Sequence, residues 1–374
     1  MSLANGPFRI GRLCLSAALM IATLTATSRA DDKATLKSYD ESVKKALAFL
    51  TKTQGADGSF SEKAGPAVTA IIGASALRNG ATTADPLVAK AIKYVEGFVH
   101  EDGGIYKEGS RHRNYETCVA VLLFSEANKD GKYADLLKKA DAFLKKGILD
   151  EAQGVKRADI AYGGAGYGNL ERPDLSNTAF LVEALRASGT SADDEAMQRA
   201  LVFISRCQNL PGPNNDTPFA DKNPDGGFVY TPALGGQSNP PGKTDNGGLR
   251  SYGSMTYAGL KSMIYCGVNE SDPRVQAAAK WAKEHYTVSE NPGMADAGLY
   301  YYYQVFAKGL STLKLKEVVD ADGKSHDWRA DLISALAERQ QPDGSWVNKN
   351  PRWMENDANL VTAYALLALS YAKP

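Results

Sequence analysis

The amino-acid sequence predicts an all-α protein, a single α6/α6 toroid in which six helix pairs form two concentric rings. Three observations lead to this prediction. Amphipathic helical segments alternate with segments that are apolar on nearly every face, each pair is joined by a similar turn, and the second helices share a Thr position. A helix that is apolar all round needs cover on every side, so the inner ring should be apolar and the outer ring amphipathic.

The first helix pair shows the pattern most clearly. Four apolar residues between Val43 and Leu50 follow the spacing i, i+3, i+4, i+7, while lysines occupy the opposite face. This spacing is typical of an α-helix with one exposed side. After a Gly-containing turn at 54–60, the segment 67–77 is apolar nearly throughout and stops at Asn79 and Gly80.

Five further pairs follow in the same order. The predicted outer helices are 87–99, 133–145, 195–207, 273–285 and 328–339, and the predicted inner helices are 115–126, 176–187, 253–266, 298–310 and 359–371. One position near the inner-helix starts holds Thr69, Thr117, Thr178, Thr256 and Thr362, with Tyr301 in the fifth pair. We therefore predict one repeat domain over 31–374, with a long insertion at about 210–251.

Residues 1–30 differ from the repeats and are interpreted as a secretory signal peptide. Arg9 and Arg12 precede an apolar stretch at 13–26, and Ser28 and Ala30 place small residues before a cut at Asp31. A membrane anchor is the alternative, but the stretch is shorter than the roughly 20 apolar residues that a span needs. No later segment is long and apolar enough to span a membrane. The sequence thus predicts export to the periplasm or the medium.

Composition limits the function classes. Lys and Arg number 43, as do Asp and Glu, and the pI is about 6.9, which argues against a nucleic-acid-binding protein. Cleavage would leave Cys118, Cys207 and Cys266, too few for a disulfide framework, although one disulfide stays open. No His and Cys cluster predicts a metal site, and no cofactor is predicted.

The exits of three outer helices share a Gln, a turn Gly and an aromatic residue. These are Gln54, Gly58 and Phe60; Gln208, Gly226 and Phe228; and Gln340, Gly344 and Trp346. The pattern resembles the QW motif of squalene–hopene cyclases. It thereby resembles the terpenoid cyclase and protein prenyltransferase family of toroids, which includes prenyltransferase and squalene oxidase repeat proteins. We expect a structural role, in which the Gln binds helix-end carbonyls, the Gly allows a reversal and the aromatic packs over the next unit.

The resemblance implies a ligand of the isoprenoid type that is bound or processed. Hopene cyclases protonate an alkene with an Asp-x-Asp-Asp motif, and protein prenyltransferases hold zinc with an Asp, a Cys and a His. Neither set has a counterpart in this sequence. We therefore expect an exported toroid that binds or processes such a lipid without either site, and the sequence leaves open whether it is an enzyme.

The outer-to-inner connections of a toroid lie at one end, where we expect the site. Those at about 148–175, 210–251 and 287–297 are enlarged, and inner-helix N-termini pointing there would favour an anionic or hydroxyl-rich group. The candidate rim residues are Arg111, His112, Arg113, Tyr115, Glu116, Asp174, Asn177, Arg250, Tyr252, Tyr257, Tyr301, Trp353 and Asp357. Helix capping is the simpler role for Asp174 and Asp357. His112 is either a solvated loop residue or, with Glu116 at the spacing i, i+4, part of an acid–base pair.

Two other functions stay open at this stage. The rim could stack sugar rings on Tyr and Trp, as in a polysaccharide lyase, or the repeats could form a scaffold without a small ligand. A deep aromatic cavity would favour the lipid, an open groove with paired charges the glycan, and a lumen filled by side chains the scaffold.

Overall fold

A computed structural model describes residues 16–61, 64–168 and 172–373 of the chain. The outer helices are α1 (Ser16–Thr53), α3 (Pro86–Glu96), α5 (Ala134–Lys146), α7 (Glu195–Arg206), α9 (Pro273–Glu284) and α11 (Trp328–Arg339). The inner helices are α2 (Ala67–Arg78), α4 (Arg113–Ala127), α6 (Leu175–Ala187), α8 (Gly253–Tyr265), α10 (Leu299–Thr312) and α12 (Ala358–Ala372).

The inner helices close into a ring. Each packs against the next one along the chain, and α12 packs against α2. The outer helices cover this ring from outside, and α1 contacts both α11 and α12, which joins the first unit to the last. The prediction of an all-α toroid with an inner and an outer ring is confirmed.

Burial separates the two rings as the sequence predicts. Every residue from Ala67 to Leu77 of α2 is buried, and α12 is likewise buried along most of its length. In α5 only Leu137, Ala140 and Leu144 are buried, at the spacing of one helix face. The apolar helices lie inside because no face of them can remain in water without losing the free energy of burial.

The turn glycines allow close packing against the next outer helix. Gly344 has φ +94°, and a Cβ there would collide with the backbone carbonyl of Lys45 in α1. Gly58 has φ +93° and meets the carbonyl of Lys90 in α3 in the same way. Only glycine combines this backbone conformation with so close an approach.

The three Gln side chains connect each turn to the following outer helix. Gln340 Nε2 donates to the carbonyls of Gly344 and Ser42, both over 2.9 Å. Gln54 binds Gly58 and Leu87, and Gln208 binds Gly226 and Arg274, in the same arrangement. The expectation that Gln satisfies the last carbonyls of its own helix is wrong, since the partners lie in the turn and in the next outer helix.

The shared Thr position has a structural cause. Thr69, Thr256 and Thr362 accept hydrogen bonds from the backbone N–H of the aromatic turn residues Phe60, Phe228 and Trp346. Thr117 and Thr178 bind Ile105 and Ala165 in the same way. These aromatic side chains are fully or almost fully buried. Each Thr therefore holds the turn on the inner helix that follows it.

Three features differ from or extend the sequence analysis. A two-stranded hairpin, β1 (Val318–Val319) and β2 (Ser325–His326), precedes α11 where no strand was expected. The Asp320 side chain closes its turn by accepting from the N–H groups of Asp322 and Lys324. Cys118, Cys207 and Cys266 are all buried and unpaired, so no disulfide joins them.

The structure leaves the signal peptide and export as predictions. Residues 1–15 lie outside the described part of the chain, and α1 runs from Ser16 through the proposed cut at Ala30. Within the described residues, no helix has the length and apolar character required to cross a bilayer.

Candidate functional site

A cavity of about 680 Å³ lies at the end of the toroid where the inner helices begin. Its wall combines the first turns of all six inner helices with loops that precede them. Eight of the thirteen predicted rim residues line it: Arg111, His112, Tyr115, Glu116, Asn177, Tyr252, Tyr301 and Trp353. The connections do bring these residues together, because each inner helix starts at the same end of the ring.

Aromatic rings form the deeper wall. The Phe180 ring lies 5.2 Å from Tyr115 and 6.1 Å from Tyr301, and Tyr301 lies 6.0 Å from Tyr364, measured between centroids. Phe180 and Tyr364 also border a smaller void of about 10 Å³ on the far side. These two side chains therefore form the floor of the large cavity, and such tilted and edge-on aromatic packing suits an apolar ligand.

Two buried carboxylates in the cavity wall accept hydrogen bonds from nearby backbone N–H groups. Glu116 accepts from the Lys107 N–H over 2.7 Å and from Ser110 Oγ over 2.6 Å. Glu355 accepts from the Tyr301 N–H over 2.8 Å and so caps the first turn of α10. Burial raises the pKa of Glu355, although the hydrogen bonds to its carboxylate oppose this.

Asp174 lies directly behind the cavity wall. Its carboxylate caps α6 by accepting from the Asn177 N–H over 2.9 Å, and it also accepts from Ser176 Oγ and Asn177 Nδ2. Burial raises the pKa of Asp174 despite these bonds. The capping role is therefore observed for Asp174, which positions Asn177 in the wall.

Besides Asp174, four predicted rim residues lie outside the cavity lining. Arg113 Nε donates to the Gly168 carbonyl, and Arg250 donates to the Lys243 carbonyl. Tyr257 is buried between α8 and α10, against Phe306, since helix periodicity turns it away from the lumen. Asp357 caps α12 by accepting from the Asn359 and Leu360 N–H groups.

The proposed acid–base pair does not form. Glu116 Oε1 binds Ser110, and the His112 ring instead lies edge-on to Tyr167 with centroids 5.1 Å apart. His112 is exposed and Glu116 is buried, because the helix begins between them.

Sequence reasoning missed several lining residues. Phe180 and Tyr364 lie one turn deeper in their helices than the predicted rim residues, and Tyr364 interrupts an apolar segment, which is a usable signal. Tyr167, Tyr230 and Asn239 come from the enlarged connections, where no periodicity indicates orientation. Asn239 accepts from Arg352 over 2.9 Å, so the 210–251 insertion reaches across the cavity mouth.

Comparisons with known proteins identify the architecture. No protein-family model matches the chain, and no curated protein matches its sequence. Apo type II terpene cyclase MstE from Scytonema superposes with a TM-score of 0.58 at 15% identity, covering 91% of this chain and 99% of that chain. A variant of MstE with geranylgeranyl dihydroxybenzoate gives 0.54 at 14%, covering 91% and 99%. A protein from Actinoplanes gives 0.54 at 14%, covering 90% and 100%.

The chain has a terpenoid cyclase-like α/α-toroid fold. At this level of identity the similarity establishes the fold and leaves ligand and reaction to the site itself. The predicted resemblance is thus confirmed as a resemblance of architecture.

The opposite end of this terpenoid cyclase-like toroid is closed by a polar ring, which we define by one residue from each inner helix. Its members are Arg78, Glu126, Glu183, Lys261, Lys308 and Tyr371. Glu183 contacts both lysines, with Lys261 Nζ at 2.8 Å, and Arg78 Nε lies 2.7 Å from Glu126. Cations are favoured there because helix C-termini carry partial negative charge.

The polar ring buries two basic side chains and one acidic side chain away from water. Glu183, Lys261 and Lys308 are each at most 3% exposed. Burial, together with the Arg78 guanidinium, lowers the pKa of Lys261 to about 7 and lowers that of Lys308 as well. Within the ranges that the structure describes, no three His, Cys, Asp or Glu side chains converge to hold a metal ion.

Proposed function

We propose that this protein is an exported toroid that binds or processes an isoprenoid-type lipid in the aromatic cavity. The observation that carries the proposal is the cavity itself. It has a volume of about 680 Å³ and is lined mainly by aromatic and aliphatic side chains. Ligand cavities typically measure about 300–1,000 Å³ and have mostly apolar walls. A branched, unsaturated chain fits such a wall because its methyl groups and double bonds pack against ring faces and edges.

The cavity mouth suits the polar end of such a lipid. Lys107, Arg111 and His112 stand with Glu108 and Ser110 around it, so both signs of charge are present. The N-termini of the inner helices lie at this end and contribute partial positive charge. We therefore place the lipid chain against the Phe180 and Tyr364 floor and its polar group near the helix starts.

The fold neighbours support this choice of ligand. One MstE structure is described as a complex with geranylgeranyl dihydroxybenzoate, and another as a complex with merosterolic acid A. A toroid can therefore hold a prenylated molecule. A deep, aromatic cavity favours a lipid over a glycan groove or a filled scaffold.

Lipid extraction tests the proposal. The full-length gene is expressed, the protein is purified from the exported fraction, and bound molecules are identified by mass spectrometry, followed by uptake of added geranylgeraniol. Val68→Phe places a larger side chain in the cavity and should reduce the amount of bound isoprenoid at least tenfold. Val319→Phe makes the same change on the exposed hairpin and should leave it unchanged. Wild-type protein that carries no isoprenoid and takes up none would refute the proposal.

Export is tested separately by sequencing the mature N-terminus. The signal-peptide prediction expects Asp31 as the first residue of the exported protein. A full-length N-terminus, or recovery only from the cytoplasm, would contradict it.

A further inference from the structure

One buried hydrogen-bond acceptor in the cavity wall lacks a donor. Asn177, the third residue of α6, is 2% exposed and lines the cavity. Its Nδ2 donates to Asp174 Oδ2 over 2.7 Å, which directs Oδ1 away from the carboxylate. Among the described residues, no group donates a hydrogen bond to this Oδ1. Buried polar atoms in folded proteins are almost always paired, so this atom calls for a donor from outside the chain.

The neighbouring Tyr167 does not supply that donor. Its phenol faces the Asn177 amide, which partly offsets the burial that raises the pKa of Tyr167. The Tyr167 hydroxyl nevertheless makes no hydrogen bond to Asn177 Oδ1, which stays unpaired among the described residues.

A hydroxyl donor lines the same cavity just before the adjacent inner helix. Tyr252 precedes α8, which packs against α6, and it lines the same cavity. Its hydroxyl oxygen accepts from Asn239 Nδ2 over 2.8 Å, so its own hydrogen is available for another partner. Within the described ranges no side chain or carbonyl accepts that hydrogen. The wall therefore offers one acceptor and one donor at the same end of the lumen.

We propose that the ligand is a lipid alcohol, whose hydroxyl donates to Asn177 Oδ1 and accepts from the Tyr252 hydroxyl. This inference rests on the proposed lipid function and names its ligand class. A hydroxyl is at once donor and acceptor, whereas a carboxylate or phosphate would leave Asn177 Oδ1 unpaired and would lie close to Asp174. A hydrocarbon would leave both groups unpaired, and such sites discriminate strongly against analogues that lack the hydrogen-bonding group.

Matched ligands and variants separate the two contacts. The full-length protein is titrated in detergent with geranylgeraniol and with its methyl ether, which keeps the oxygen but loses the donor hydrogen. The wild-type protein should bind the alcohol about tenfold more tightly than the ether. Asn177→Leu, which is nearly isosteric, should weaken the alcohol alone and remove this preference. Tyr252→Phe should weaken both ligands by a similar factor, because both retain the oxygen that Tyr252 binds.

Controls keep the inference distinguishable from the proposed function. Asn269→Leu changes an exposed loop residue before α9 and should leave both affinities unchanged. Equal affinity of the wild-type protein for alcohol and ether would overturn the lipid-alcohol assignment while leaving lipid binding intact. A preference that survives in folded Asn177→Leu would overturn the role of Asn177. Absence of binding to either ligand would overturn the proposed function itself. If Asn177→Leu fails to fold, the wild-type preference and Tyr252→Phe still decide the question.

Discussion

Single residues in this toroid work mainly by satisfying buried backbone groups. Thr117 shows the principle, since its Oγ1 accepts from the Ile105 N–H over 3.0 Å and donates to the Arg113 carbonyl over 2.7 Å. The side chain is fully buried, so water cannot replace it. The recurrence of Thr along the sequence follows from this need, because Thr combines a hydroxyl with the volume of Val.

Thr117→Val should lower the free energy of unfolding by about 1–3 kcal/mol, because the Ile105 N–H then stays buried without a partner. Thr51→Val provides the control, since Thr51 is exposed in α1 and its hydroxyl binds only the Leu47 carbonyl of its own helix. Urea denaturation of both variants checks the prediction. Equal stability of Thr117→Val and wild type would show that the turn is held by other contacts.

At the scale of elements, the turns connect successive helix pairs, and α1 also packs directly on α11. In five of the six turns a glycine approaches the backbone of the next outer helix so closely that no side chain would fit there. The adjacent Gln adds a hydrogen bond to the same helix, as Gln340 does to Ser42. Because the sixth turn reaches α1, it also connects the last unit to the first.

Gly344→Ala should destabilise the protein by about 3 kcal/mol or more, since a positive φ and a collision with Lys45 act together. Gly323→Ala is the matched control: its φ is +79°, but nothing lies within 4 Å of the added carbon. That variant should lose only about 1 kcal/mol from backbone strain. Thermal and urea unfolding of the two proteins give the comparison, and equal losses would mean that the close approach to α1 is unimportant.

At the scale of the whole molecule, the toroid has an open cavity at one end and is closed by the polar ring at the other. Glu183 is the carboxylate between two lysines of the polar ring, so the closure depends on it. At pH 6, below the pKa of Lys261, Glu183→Gln should lower the free energy of unfolding by about 3–5 kcal/mol, because the buried Lys261 ammonium loses its counter-charge. Glu284→Gln removes the exposed partner of Lys280 and should change stability by less than about 1 kcal/mol. A neutral effect of Glu183→Gln in a denaturation assay would contradict this account.

Stability should also rise with pH above neutrality. Burial and Arg78 lower the pKa of Lys261 from 10.5 to about 7 in the folded protein. Between these values the unfolded chain binds more protons, so the folded state gains as pH increases, by up to about 1.4 kcal/mol per pH unit. Urea midpoints at pH 7.5 and 9 measure the slope. Lys261→Met should reduce the slope and leave the part due to Lys308, whereas Lys280→Met, at an exposed position, should leave it unchanged.

Site residues at the starts of inner helices could be predicted from the sequence, whereas those in long loops could not. Tyr115, Asn177 and Tyr301 could be placed because the repeat fixes which residues begin an inner helix. Arg250 could not, since its direction depends on the local path of the 210–251 insertion, where it binds the Lys243 carbonyl. The prediction that Tyr257 lies on the rim was wrong. On a helix that is buried on every face, packing against the neighbouring helices, and not polarity, sets which way a single side chain points.

The amino-acid sequence by itself determined the all-α architecture, the number of helix pairs and their division into rings. It could do so because burial of a helix face is local, periodic information that each segment carries for itself. Only the tertiary structure decided that Phe180 and Tyr364 form a floor, that Glu355 caps α10 and that six distant polar residues close the lumen. Those relations join residues from different repeats, and no spacing along the chain encodes them before the ring has closed.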